Sequence, residues 1–227
     1  MLTVDLDVKD LRYLNSTLQA QTVECIDEHW TVTNPKGRHG IAVGLDASIS
    51  VTIEGFTGYY CGGMNQRASI KINGSVGPGV AENMMSGIIR VQGDASQYAG
   101  ATGNGGLLAV QGNASSRCGI SMKGIDIVVQ GNVGHMAAFM AQSGNLVVLG
   151  DAGDALGDSL YEANLFVRGS VKSFGADCIE KEVLPEHLEI LERLLAQSRI
   201  AAAPGSFRRY GSARMLYNFN IDNAGAY

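Results

Sequence analysis

The chain has 227 residues, a net charge of −5 and a pI near 5.3, with 30 glycines, four prolines and only 17% charged residues. Its 45% apolar content excludes a disordered chain, the few prolines exclude a collagen-like one, and the acidic balance argues against a general nucleic-acid binder. Glycine stands at roughly twice its usual share, so the excess needs a structural cause.

In chain order, the first residues, MLTVDLDVKDLRYL, place Asp5, Asp7 and Asp10 where a signal peptide needs a basic start and an unbroken apolar stretch. A cytoplasmic protein is expected. Asp10 reads as the cap of a short helix with Leu11, Leu14 and Leu18 on one face, so residues 1–29 form a strand and helix cap. Trp30 to Gly44 reads as an opening coil whose phrase TVTNPKG ends on Gly37, one residue out of register with the glycines downstream.

Beyond that coil one apolar-x-apolar-x-Gly phrase recurs and ends on Gly55, Gly74, Gly93, Gly112, Gly131, Gly150 and Gly169, always nineteen residues apart. Two positions before each glycine stand Ile53, Ile72, Val91, Val110, Val129, Val148 and Val167. Two earlier again come Val51, Ile70, Ile89, Leu108, Ile127, Leu146 and Leu165. Seven after it, Gly62, Ala81, Gly100, Gly119, Ala138, Gly157 and Ala176 are all small.

A period-two apolar pair repeated at fixed spacing reads as one strand plus turns per repeat, and such a strand buries its apolar side only by stacking on the next. The fold expected over residues 30–180 is therefore all-β, a right-handed parallel β-helix of about seven nineteen-residue coils, about 4.8 Å apart. The seven repeating glycines are its corners, where the backbone needs positive φ or has no room for Cβ. Replacing Gly112 by Val then lowers stability by about 1 kcal/mol or more if φ is positive there. Cys61 and Cys118 share a column three coils apart, about 14 Å, so they read as packing residues rather than a disulfide. The stretch Ile127 to Gly150 lacks charge but alternates like strand, so no membrane span is expected.

Residues 181–227 depart from the repeat. Pro185 opens a helix with Leu188, Leu191, Leu194 and Leu195 in a stripe and Glu189 paired to Arg193, a cap or docking helix. The tail gathers Phe207, Tyr210, Tyr217, Phe219 and Tyr227 with Arg208, Arg209 and Arg214. Arg and Tyr are hot-spot residues, so the tail from Phe207 onward is expected to dock a partner and to be dispensable for folding.

Outward along the strands runs a column of Thr52, Lys71, Arg90, Ala109, Val128, Val147 and Phe166. Its apolar end is either a contact face or is covered from within the chain. The loop GVAENMMSG breaks the small-residue rule with Glu82, Asn83, Met84 and Met85, a candidate partner contact, and GISMKG from Gly119 to Gly124 occupies the same columns two coils on. His29, His39, His135 and His187 are scattered without ligand spacing, and neither a P-loop, a dinucleotide fingerprint nor a nucleophile elbow is present, so catalytic, cofactor and metal residues are expected to be none.

The G-x-x-G-x-x-x-G phrase at Gly55, Gly58, Gly62 and again at Gly150, Gly153, Gly157 resembles the repeat of the glutamate-synthase C-terminal β-helix domain. With GVAENMMSG, GISMKG, GYYCGGMN and the tail FRRYGSAR to DNAGAY, nearly the whole chain resembles its stand-alone form, the GlxC-like subunits of N-methylglutamate synthase and related glutamate-synthase-like complexes. The resemblance implies a scaffold without catalytic residues of its own, joining an amidotransferase-like subunit to a synthase subunit that carries FMN and iron–sulfur clusters in a hetero-oligomer. The comparable subunit of formylmethanofuran dehydrogenase is the alternative within the fold, and an independent carbohydrate-active β-helix enzyme the alternative outside it.

Overall fold

A computed structural model describes residues 2–22 and 28–214. Strand β1 (Leu2–Asp5), helix α1 (Leu11–Gln19) and strand β2 (His29–Thr33) lead into seven strands set by the apolar pairs: β3 (Ser50–Glu54), β4 (Ser69–Ile72), β5 (Ile88–Val91), β6 (Leu107–Val110), β7 (Lys123–Val129), β8 (Ser143–Val148) and β9 (Asn164–Val167). All pair in parallel, giving a β-solenoid of about seven turns. From Val51 to Leu165 each strand's inner residue lies beside its equivalent nineteen positions on, as in Val51↔Ile70 and Leu146↔Leu165. Both aliphatic columns are buried along their whole length, and burial of each such side chain is worth about 1.5–3 kcal/mol. A second parallel ladder of single bridges runs through Thr57, Val76, Ala95, Ala114, Val133, Ala152 and Val171.

The opening coil exists, but its register differs from the expected one: Trp30 pairs with Val51 and Val32 with Ile53, twenty-one positions apart. Pro35 takes the place below Gly55, where a Cβ on the glycine would come within 3.1 Å of its ring.

The repeating glycines need a different explanation from positive φ, which among them only Gly55 adopts. A Cβ on Gly112 would lie 2.8 Å from the carbonyl carbon of Gly93, and one on Gly131 2.9 Å from that of Gly112. Close approach of one coil's backbone to the next excludes the side chain. Positive φ falls instead five, seven and nine residues later, at Tyr98 (62°), Gly100 (68°) and Thr102 (53°) in one coil and at Arg117 (58°), Gly119 (71°) and Ser121 (51°) in the next. Left-handed non-glycine residues cost about 1 kcal/mol or more each. Here that cost is offset because the alternation sends successive amides to opposite neighbours: Tyr98 N–H to Ser116 O at 3.1 Å, Gly100 N–H to Val80 O at 2.8 Å and Thr102 N–H to Ile120 O at 2.9 Å. A side-chain ladder reinforces the corner, with Asn113 N–H on Asp94 Oδ1, Asn132 N–H on Asn113 Oδ1 and Asp151 N–H on Asn132 Oδ1 at 2.7–2.9 Å.

After the coils come β10 (Cys178–Lys181), α2 (Pro185–Ser198) and β11 (Arg208–Ser212). Asp10 caps α1 by accepting from Tyr13 N–H at 2.7 Å, and Leu14 and Leu18 close the first turn. Helix α2 lays Leu191, Leu194 and Leu195 on the outward apolar column, burying Val128, Val147 and Phe166 together with Leu107 and Phe207. That column is thus covered from within the chain, and at its basic end Arg90 donates to Gln197 O at 2.7 Å. Arg193 reaches Asp126 of β7 at 3.4 Å, the ion pair it makes in place of the expected one with Glu189.

Strand β11 corrects the reading of the tail. It runs antiparallel beside β9, with Tyr210 opposite Leu165, and carries β10 on its other edge. The tail's first part is a strand of the sheet.

Candidate interaction surface

The expected docking residues divide by burial. Phe207 and Tyr210 are only 4% and 0% exposed, packed under α2 and on the end of the aliphatic core respectively, so neither side chain can meet a partner. Arg209 is held by Asn164 Oδ1 at 3.0 Å and Glu182 O at 3.2 Å. Arg208 donates to Gly169 O at 2.9 Å, and Arg214 pairs with Asp177. Arg209 and Arg214 border an open cleft with Lys181, Glu162 and Tyr161, but the arginines there are already engaged. Tyr217, with Phe219 and Tyr227, lies outside the described residues.

Met84 is also an interior residue. It stacks in one column with Gly103 and Met122, both methionines fully buried, so the long side chains alternate with a glycine along the core. GVAENMMSG and GISMKG share this packing role. Glu82, Asn83 and Met85 remain on the surface.

Around them the turns of successive coils build one patch. Asn83 Nδ2 donates to Tyr60 Oη at 3.2 Å and its Oδ1 accepts from Thr102 Oγ1 at 2.6 Å, which ties three coils together. The Tyr59 and Tyr60 rings lie 5.4 Å apart, and His39 meets Tyr59 edge-on at 6.5 Å. Tyr59, Met64 and Met85 are 47%, 45% and 50% exposed. Met64 N–H donates to Glu82 O at 2.9 Å, so Met64 and Glu82 sit on adjoining turns. Burial lifts the Glu82 carboxyl above the usual carboxylate range.

Sequence reasoning named Glu82, Asn83 and Met85 but not Tyr59 or Met64 as part of this face. Their signal was present in GYYCGGMN, one coil earlier in the same turn columns.

Exposed tyrosine and methionine side chains of this kind suit protein contact. The thiols of Cys61, Cys118 and Cys178 are buried and pushed up to about 12 by burial, which removes their nucleophilic form. Among the described residues no group of three His, Cys, Asp or Glu side chains could hold a metal ion, and no helix is long and apolar enough to cross a membrane.

No protein-family model matches the chain. Among curated proteins it is similar to Protein GlxC of Rhizobium meliloti (strain 1021), with 62% identity over 228 residues covering 100% of both chains. With identity at that level over the full length of both proteins, the chain belongs to the GlxC family.

Proposed function

We propose that this chain is the non-catalytic scaffold subunit of a glutamate-synthase-like complex, N-methylglutamate synthase, in the cytoplasm. The complex converts methylamine and L-glutamate to N-methyl-L-glutamate and ammonia, with FMN and iron–sulfur clusters on the synthase chain. The solenoid holds that chain against the amidotransferase-like chain. The observation that carries this reading is the full-length identity to Protein GlxC, taken with the glutamate-synthase-type glycine phrase at Gly55 to Gly62 and Gly150 to Gly157. The fold supports it physically: each coil is hydrogen-bonded through its main chain to both neighbours, so little ordering entropy remains to be lost when large partners bind.

Co-expression with the two candidate partner chains tests it. The three chains are expected to co-purify as one complex that releases ammonia from glutamate in the presence of methylamine, while this chain alone is colourless and inert. Flavin retained by the isolated chain, turnover without partners, or co-purification with pterin-containing subunits instead would overturn the reading.

A further inference from the structure

The patch around Glu82 has a chemical polarity that specifies its partner more narrowly, on the assumption that the scaffold reading holds. Tyr60, Gly79, Tyr98 and Arg117 occupy one turn column on four successive coils. Where the coils on either side carry a tyrosine, Gly79 has no side chain, and the space beside it is filled by Tyr59 and Glu82. A Cβ on Gly79 would lie 2.7 Å from Glu82 Oε2 and 3.2 Å from Cε2 of Tyr59. The carboxylate and the ring edge therefore converge on the same small space. Among the described residues the Glu82 carboxylate has neither a salt bridge nor a hydrogen bond, although it is half-buried. A half-buried charge without a counter-charge is unfavourable in the free chain and favourable once a cation arrives.

The surroundings select the cation. A hydrated metal ion needs several oxygen ligands, and one carboxylate in a frame of Tyr59, Met64 and Met85 does not supply them. An arginine or lysine suits the site better, because its charged head meets the carboxylate while its stem and π-stacking face lie on the tyrosine and methionines. The chain already uses this column in that way, with the Arg117 guanidinium 6.0 Å over the ring of Tyr98.

We infer that the surface where Tyr59 and Glu82 meet over Gly79, flanked by Met64 and Met85, is the seat of an arginine or lysine side chain projecting from another subunit of the complex.

The test uses the full chain co-expressed with the amidotransferase-like and synthase chains. Glu82→Gln and Tyr59→Ala should each weaken association with one of the two partners by about tenfold or more, while Glu189→Gln, on the exposed side of α2, should not. Unchanged melting of the isolated variants separates lost contact from lost folding. A photo-crosslinker replacing Tyr59 should label a peptide of that same partner, beside an Arg or Lys. Affinities equal to the unsubstituted chain, or crosslinking to a second copy of this chain, would overturn the inference and leave the scaffold reading intact. Failure of the unsubstituted chain to join either partner would remove both.

Discussion

Within strands β3 to β9 each core residue meets its equivalent nineteen positions away, parallel and in register, whereas at the C-terminal closure Tyr210 meets Leu165 forty-five positions away and antiparallel. The coils are held by many similar short-range contacts, so no single one decides the fold. The closure is made once, by residues from three separate segments: β11, α2 and the outward column of β7 to β9. Stability is thus distributed along the rod and concentrated at its end. Equal chemical changes therefore have unequal effects in the two regions.

Ending the chain at Ser206 breaks this comparison most severely. It removes Phe207 and Tyr210 and leaves β9 without β11, which should lower the melting temperature by about 10 °C or more, or drive aggregation through the open strand edge. An unchanged melting temperature would show that the closure is ornamental and that the tail serves docking alone. Next, Phe166→Ala beneath α2 should cost about 3–5 kcal/mol and loosen that helix, measurable by denaturant unfolding with helical circular dichroism as the probe.

Within the coils the effects are smaller and depend on which glycine column is changed. Gly112→Val drives a side chain into the backbone of Gly93 and should cost about 2 kcal/mol or more. Gly119→Ala, at φ 71° in the column where Ala81 and Ala138 already adopt 58° and 57°, should cost only about 1 kcal/mol. Equal or inverted costs in calorimetry would mean that conformation rather than close approach constrains the corners.

The smallest effect is a rate. In a Cys25→Ser background at pH 8, Cys178 beside the closure should be modified by a thiol reagent before Cys61 and Cys118, which sit in coil interiors. The same thiols set a pH limit. Each ionises near the ordinary thiol value when unfolded but only at about 12 in the fold, so the protonated native form is favoured. Stability is therefore complete below about pH 9 and falls as pH rises from there towards 12.

Much of this architecture was legible in the sequence because a solenoid converts spacing into contact. The columns Val51 to Leu165 and Ile53 to Val167 name the core directly, since one interval fixes every neighbour. The left-handed turn positions were not legible, because Tyr98, Arg117 and Met136 are not residues from which positive φ is inferred. Only the alternating amide bonds between coils explain them. The role of Arg208 to Ser212 was hidden for another reason: an antiparallel strand that occurs once leaves no repeat to detect, and its Arg and Tyr content imitates an interface. On the surface, the sequence marked Glu82 as unusual but not its pairing with Tyr59, which arises where one coil stacks on another.

The insertion of β11 between β9 and β10 also bears on synthesis. Each coil can settle on its predecessor as soon as nineteen further residues appear, so the rod lengthens with the nascent chain. Its growing end cannot be sealed in that way, because the sealing strand is encoded forty-five residues after the edge it covers. At ribosomal speeds this leaves the β9 edge open for roughly 2–9 s, an interval in which a chaperone or a neighbouring nascent chain competes with the protein's own last strand.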